Sequence, residues 1–515
     1  MRHFRGLRSS FAGIALALSF AAANGQTLAH KGWVGSGITV EPWWAGAVLY
    51  QIDPVSFQDT KGDGFGDLQG ITQRLDYVKS LSADAIVLSP FQLQTDFGKK
   101  TNGPVFDAKY GTEEDLDRLI QEAGRRKVRI FVDLPLTSSR STVDLVNVAR
   151  FWLSRGIAGF RLTLDTHSAS LTPAQVVERL RELRKLCGTF AGQRVVFWDS
   201  AEPIPHLADA SVTSYRRTRR PAAPLVVEEP QMVLDNRLAA LTGFDAGSIR
   251  RALLQDSAPG PLDGSAVVPV TDGTDYARSF DRIARGAHAA EIAKVLAAIV
   301  LTSRGAPMLY YGQEIGMATT SAQATSAQPA SFAATPMQWG EDVGFTSGVP
   351  WMEMGPNAKT ANVAMEDPDA ASLLNWYRKL SALHHENDAL RVGEMDLIAD
   401  GNPDIVAWVR RPRDPGSLTA PVVVVCNVTG RQLLVSVSAD VRRLGVETST
   451  TFMHTLASTQ LTASTAALGP GVKAPVSGPV SMNMISLPPY GVYIGELPRP
   501  AGLESQPAPV RRHTR

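Results

Sequence analysis

Cysteine is nearly missing from this chain: its 515 residues include two, Cys187 and Cys426. Cys187 falls in a helical pattern and Cys426 inside the strand-like PVVVVCNV. A disulfide framework is therefore excluded, and two separate buried thiols are expected. An excess of one charge is missing too. Lys plus Arg number 51 against 50 for Asp plus Glu, which leaves no electrostatic reason to expect nucleic acid or an anionic membrane as a partner. The one basic cluster, Arg216, Arg217, Arg219 and Arg220, reads as a solvated loop. None of the nine histidines stands at a metal-ligand spacing, and His384 and His385 are expected on the surface of an amphipathic helix. After the N-terminus no long uninterrupted apolar run occurs, so no membrane span is expected once a leader is removed.

The N-terminus, MRHFRGLRSSFAGIALALSFAAANGQ, has a basic start, an apolar run from Phe11 to Ala23 and small residues at its end. This is the pattern of a secretory signal over residues 1–25, cleaved between Ala23 and Gln26, and it predicts a secreted or periplasmic protein. From about residue 45, short β-branched runs alternate with helical patterns. AVLYQIDP, AIVLSPF, VRIFVDLPL, AGFRLTL, RVVFWDS, PQMVLDN, SAVVPVTDG and PMLYYGQE make eight candidate strands, separated mostly by amphipathic stretches. The arrangement predicts an α/β fold, a (β/α)8 TIM barrel over 43–390, with any site at the C-terminal ends of its strands. The Ala/Ser/Thr-rich segment 318–335 reads as a surface loop, and 371–390 as a helix. The alternating segments DIVAWVRR, PVVVVCNV, LLVSVS and YGVYIGEL predict a C-terminal antiparallel β domain over 391–497, and 498–515 a disordered tail.

Several segments carry a resemblance. LYQIDPVSFQDTKGDGFGDLQGITQRLDYVKSL, YGTEEDLDRLI, FWLSRGIAGFR, GAPMLYYGQEIGM and TPMQWGEDVGFTSGVPW together resemble the α-amylase family of glycoside hydrolases, in its oligo-1,6-glucosidase and α-glucosidase branch. The resemblance spans about residues 43–497 and implies a retaining reaction on α-glucosides, with one carboxylate as nucleophile, one as acid/base and a third as stabiliser. Matched position by position, the family's GFRxD corresponds to Gly159, Phe160, Arg161, Leu162 and Thr163, so a hydroxyl stands where the nucleophile should be. Asp165 shares the strand parity of Thr163 but lies two residues on, about 6.6 Å along a strand, and would serve only if the chain bent back.

The resemblance places the acid/base at Asp199, with Glu202 as the other candidate, and keeps Asp275 as stabiliser in GTDYAR. Arg161, Arg278 and Asp133 correspond to substrate-contacting positions. The family's histidines are replaced: Thr137 and Ser138 stand for Asn-His after Asp133, and Thr274 for the histidine before Asp275. TNGPVFD replaces the family's sugar clamp, and only 22 residues separate Ser138 from Arg161, so the inserted domain after strand 3 is missing. In layout and losses the chain also resembles the heavy-chain ectodomain of heteromeric amino-acid transporters, which works by protein contact.

In DTKGDGFGD, Asp59, Asp63 and Asp67, with the Phe65 carbonyl, correspond to the family's calcium loop, but Lys61 occupies a ligand position. Two readings stand, a weakened Ca²⁺ site or a loop whose ammonium replaces the ion; the second is preferred because three close carboxylates need a cation. Trp152 and Trp408 read as core, and Trp339 and Trp351 as candidates for sugar stacking. The expectation is a glycosidase fold with its chemistry lost, binding an α-glucan, an oligosaccharide or a protein partner. Its competitor is an active α-glucosidase using Asp165, Asp199 and Asp275.

Overall fold

The computed structural model describes residues 41–89, 107–164, 171–199, 230–254, 265–274, 276–319, 333–341, 344–414, 417, 419–446, 450–460 and 478–498. Asp165, Glu202, Asp275, the N-terminal signal, most of TNGPVFD, Arg216 to Arg220 and residues 499–515 lie outside them.

All eight candidate strands form: β1 Leu49–Ile52, β2 Ala85–Leu88, β3 Arg129–Asp133, β4 Gly159–Thr163, β5 Val195–Asp199, β6 Met232–Asp235, β7 Ala266–Pro269 and β8 Met308–Tyr310. They pair in parallel in the order β7-β6-β5-β4-β3-β2-β1-β8. The ring nearly closes, since the Ala306 N–H donates to the Val267 carbonyl beside β8. Alternation along each strand separates two apolar layers. Tyr50, Ile86, Val132, Phe160 and Trp198 join the layer under the helices, while Leu49, Val87, Phe131, Phe197, Leu234 and Met308 fill the barrel interior.

Gly159 is required by that interior. A Cβ there would sit 2.1 Å from the Val195 carbonyl oxygen and 2.8 Å from the Phe131 ring, so β4 approaches its neighbours only because the residue before Phe160 has no side chain.

Between β3 and β4 there is a short turn and one helix, Thr142–Ser154, whose N-terminus is capped by Ser141 Oγ accepting from Asp144 N–H. No inserted domain interrupts this connection, as the spacing predicted. Leu134 N–H and Leu136 N–H donate to the carbonyls of Arg161 and Thr163 at 2.8 Å, and Leu136 bridges Leu164 in parallel. The chain after β4 therefore stays extended through Leu164.

The C-terminal part holds a six-stranded antiparallel sheet, ordered β14-β13-β16-β11-β10-β9, and a two-stranded β12-β15 ribbon. Its strands are β9 Glu394–Ile398, β10 Ile405–Arg411, β11 Val422–Asn427, β12 Leu433–Val435, β13 Phe452–Ser458, β14 Val480–Ser481, β15 Ile485–Leu487 and β16 Val492–Glu496. This sheet meets the barrel at the C-terminal end of the helix Ala289–Thr302. Trp408 Nε1 donates to the Thr302 carbonyl at 3.1 Å. Arg410 Nη1 donates to the same oxygen at 2.9 Å and also reaches Ser303, while Nη2 donates to Gly393. Side chains from β10 thus satisfy carbonyls that the helix leaves unpaired, with a cation at the negative end of its dipole.

His384 belongs to this seam, which corrects its expected surface position. It is fully buried, with Nδ1 2.8 Å from the Leu301 carbonyl oxygen and Nε2 3.2 Å from that of Gly46; burial pushes its pKa down to about 4. His385 is exposed, 3.6 Å from Asp84. Cys187 and Cys426 are separate buried thiols, as expected.

Candidate functional site

Interior parity carries Gln51, Asp133, Arg161, Thr163 and Asp199 to the C-terminal mouth of the barrel. The parallel register sets Asp133 opposite Arg161 and Thr163 opposite Asp199. Arg161 grips Asp133 with two parallel bonds, Nε to Oδ1 at 2.6 Å and Nη2 to Oδ2. Its Nη1 lies 3.4 Å from Asp199 Oδ2. The side chain of Asp133 is 0 % exposed and that of Arg161 3 %. The fork geometry and the burial make this a strong ion pair, and one whose members depend on each other.

A small cavity of about 10 Å³, room for roughly one water molecule, opens beside it, lined by Gln51, Arg161, Asp199, Asp272, Thr274 and Tyr276 together with Leu234, Val270 and Met308. Tyr276 packs against the barrel interior and its hydroxyl accepts from Asn236 Nδ2 at 2.7 Å. Gln51 Nε2 donates to Ser89 Oγ at 3.1 Å and to Thr274 Oγ1 at 3.4 Å. Of the residues singled out in the sequence, the structure brings Arg161, Asp133, Thr163 and Asp199 together. Arg278 lies elsewhere: it is 1 % exposed, packs over the rings of Tyr310 and Tyr311 and donates to the Tyr311 carbonyl at 2.9 Å.

Three buried carboxyl groups, Glu314, Asp53 and Asp272, escaped the sequence reading. Tyr50 and Tyr77 both donate to Glu314 Oε1, at 2.7 and 2.6 Å, and Tyr310 donates to Asp53 Oδ2 at 2.6 Å. Burial pushes the carboxyls of Glu314 and Asp53 above the usual range. Asp272, also buried, accepts from Ser279 Oγ at 2.7 Å and from Thr271 Oγ1 at 3.0 Å. Glu314 stands in the quoted GQE after β8, and its depth in the sequence of apolar residues was the available signal.

The acidic loop is not arranged as a cation site. Asp59 Oδ1 accepts from the N–H groups of Lys61 and Gly62 at 2.8 and 2.9 Å; Oδ2 accepts from Gly64 N–H at 2.8 Å and from Thr346 Oγ1 at 2.5 Å. Asp67 accepts from Thr60 N–H, Thr60 Oγ1 and Gly70 N–H, and Asp63, which is exposed, from Phe65 N–H. These donors hold Asp59 below its ordinary range despite its partial burial, which opposes them. Among the described residues no three His, Cys, Asp or Glu side chains converge on a metal position. Lys61 does not replace an ion between the carboxylates either: its Nζ donates to the carbonyls of Ala108 and Lys109, at 3.1 and 2.9 Å. The residues present do not fit Ca²⁺, because both oxygens of Asp59 already face hydrogen-bond donors. Chelation by EGTA is expected to leave the melting temperature unchanged; a fall reversed by added calcium would show that the loop binds an ion.

Of the two candidate stacking tryptophans, Trp339 is corrected. Trp339 is buried under the Arg74 guanidinium, 4.0 Å from its ring centroid, and donates to the Phe57 carbonyl. Trp351 is half-buried and donates to Ser56 Oγ. Trp152 and Trp408 are core, as expected.

The description of the alpha-amylase catalytic domain matches residues 51–139 and 264–393. Over these two segments the chain resembles the α-amylase family. Its curated relatives in that family include a probable alpha-glucosidase of Rhizobium meliloti, 29% identical over 477 residues that cover 69% of this chain and 85% of the relative. The oligo-1,6-glucosidase of Bacillus cereus is 23% identical over 543 residues, covering 79% and 94%. Among solved structures, the trehalose-6-phosphate hydrolase of Bacillus licheniformis superposes with a TM-score of 0.67 at 20% identity, covering 89% of this chain and 100% of that one. That likeness is one of fold. Relative to the α-amylase family pattern, Thr163 ends β4 beside Asp199, and both lie in the stretch between the two matched segments.

Proposed function

We propose that this α-amylase-like protein is exported and binds a small α-glucoside or glucan segment at the barrel mouth without hydrolysing it. The observation that carries the reading is Thr163: it occupies the end of β4 in register with Asp199, where the family resemblance calls for the nucleophilic carboxylate. A threonine hydroxyl needs a base to attack and brings no charge to an oxocarbenium-like centre. Asp165 is a poor replacement, because it lies two residues beyond Thr163 on a chain that runs extended through Leu164. Asp199 faces the Arg161 guanidinium at 3.4 Å, and a carboxylate beside a cation is a poor proton donor.

Sugar is preferred over protein as the ligand because the barrel mouth presents the polar side chains Gln51, Asp199 and Thr274 beside one aromatic ring, Tyr276. Large apolar side chains exposed on the C-terminal part, Leu434, Phe452 and Met484, support a protein partner as the second reading. Hydrolysis of an activated aryl α-glucoside by the purified protein is expected at background, roughly 10⁴-fold or more below a competent family member, the typical cost of removing a nucleophile. Turnover that Asp165→Ala or Asp275→Ala abolishes would overturn this and establish a displaced constellation. Calorimetry with maltose and isomaltose, wild type against Tyr276→Ala, then separates sugar binding from its absence.

A further inference from the structure

The turn between β3 and the helix Thr142–Ser154 contains two buried cations that nothing described so far employs. Arg140, just before the N-cap Ser141, is 9 % exposed, and its Nη1 is buried without a hydrogen-bond partner. Among the described residues its guanidinium makes no hydrogen bond or ion pair at all. Arg179, from the helix Pro173–Gly188, is 4 % exposed. It donates Nη1 to the Thr137 carbonyl at 2.6 Å and Nη2 to the Arg140 carbonyl at 2.5 Å, and its Nε is buried and unpartnered.

The two charges are close enough to act on each other. Burial first, and the Arg179 charge second, hold the Arg140 guanidinium below its ordinary range; burial does the same to Arg179. The carboxylates of Asp144 and Glu178 oppose these shifts on Arg140 and Arg179 respectively; that of Asp144 also accepts from Ser141 Oγ at 2.6 Å on an exposed face. Buried charges are normally paired, because desolvation penalises an ion that has no counter-charge. Besides the two carbonyls that take Arg179, the turn offers donors: Thr137 and Ser139 hydroxyls 3.0 Å apart, the exposed Ser138, and the N-terminal amides of a thirteen-residue helix. The turn lies at the C-terminal face of the barrel, where such folds bind their ligands.

We infer that Arg140 and Arg179, with the hydroxyls of Thr137 to Ser139 and the start of the helix Thr142–Ser154, form a binding site for a phosphate-like oxyanion. The guanidinium fork matches two phosphate oxygens, and the hydroxyls and amides supply donors for the others. The anion is either inorganic phosphate or the phosphate of a sugar monoester, two sources that share one chemistry.

The test is calorimetry of the full chain in chloride buffer, with inorganic phosphate in one arm and a hexose phosphate in the other. Saturable one-to-one binding is expected; tighter binding of the hexose phosphate assigns a sugar monoester, and equal or weaker binding the free ion. Arg140→Gln is expected to weaken binding about tenfold or more, the loss that follows from removing a charged hydrogen bond. Arg140→Met is expected to keep or raise the melting temperature in phosphate-free buffer, since it removes a buried charge whose Nη1 has no hydrogen-bond partner, and to abolish the rise that phosphate gives the wild type. If Arg140→Met does not fold, Ser139→Asp serves instead: a carboxylate supplied beside the pair is expected to stabilise the chain and to compete out phosphate. No saturable binding of either probe to the folded wild type, an unchanged affinity in Arg140→Gln, or a phosphate-free melting temperature that falls in both other variants would each overturn the proposal.

Discussion

Arg161→Met is expected to cost about 3–5 kcal/mol of stability, the loss typical when one partner of a buried ion pair is removed. Asp133 stays behind with its side chain 0 % exposed, having lost both bonds from the guanidinium. It must then remain charged without its partner or take up a proton. The double variant Asp133→Leu with Arg161→Met is expected to recover most of the loss, because two apolar groups need no compensation. Urea unfolding of the four proteins of the cycle measures this, read as midpoints at constant slope. A single-variant loss below about 1 kcal/mol would show that other groups satisfy Asp133 and that the pair is not what holds the barrel mouth. The experiment also bears on the site, since Arg161 keeps Asp133 and Asp199 on two sides of one cation.

Trp408→Ala is expected to cost a similar amount, about 3–5 kcal/mol, by leaving a large cavity. The indole lies fully buried in β10 and donates to the Thr302 carbonyl. Its loss opens the seam between the helix Ala289–Thr302 and the C-terminal sheet, which Arg410 also ties. Calorimetry is the discriminating measurement. The wild type is expected to melt in one transition and Trp408→Ala in two, the C-terminal sheet first. A single transition shifted by less than a degree or two would mean that the seam contributes little to coupling.

The barrel was legible because its strands are buried on both faces, which demands continuous β-branched runs such as AIVL and RIFVD at every turn of the ring. The site was legible only where residue identity alone decides. Thr163 for a carboxylate is such a case, since no backbone arrangement turns a hydroxyl into an acid. His384 was misplaced because helical periodicity reports which face is apolar and not what covers it; here the cover is Leu301 and Gly46, distant in sequence. The acidic loop was misread for a related reason. Counting Asp59, Asp63 and Asp67 finds the negative charge, but the donors that answer it are backbone N–H groups. Those point inward because Gly62 and Gly64 adopt φ of 77° and 90°, conformations that only glycine takes without strain. Trp339 looked available in a loop because the Arg74 that covers it comes from the other end of the barrel sequence.

The pairing order of the barrel also has a bearing on how the chain is made. From β1 to β7 each strand lies beside its predecessor in sequence, so the sheet can lengthen as synthesis proceeds, each addition closing a loop of modest size. The last pairing is different in kind. Leu49 must find Met308 across most of the barrel sequence, and until it does, β1 presents an unpaired edge. The helix Ala289–Thr302 just ahead of β8 is the same element that the C-terminal sheet clamps. Residues beyond 393 therefore act late, bracing the helix that leads into the closing strand, and a nascent chain halted before β8 would carry an open β1 edge exposed to aggregation or to a chaperone.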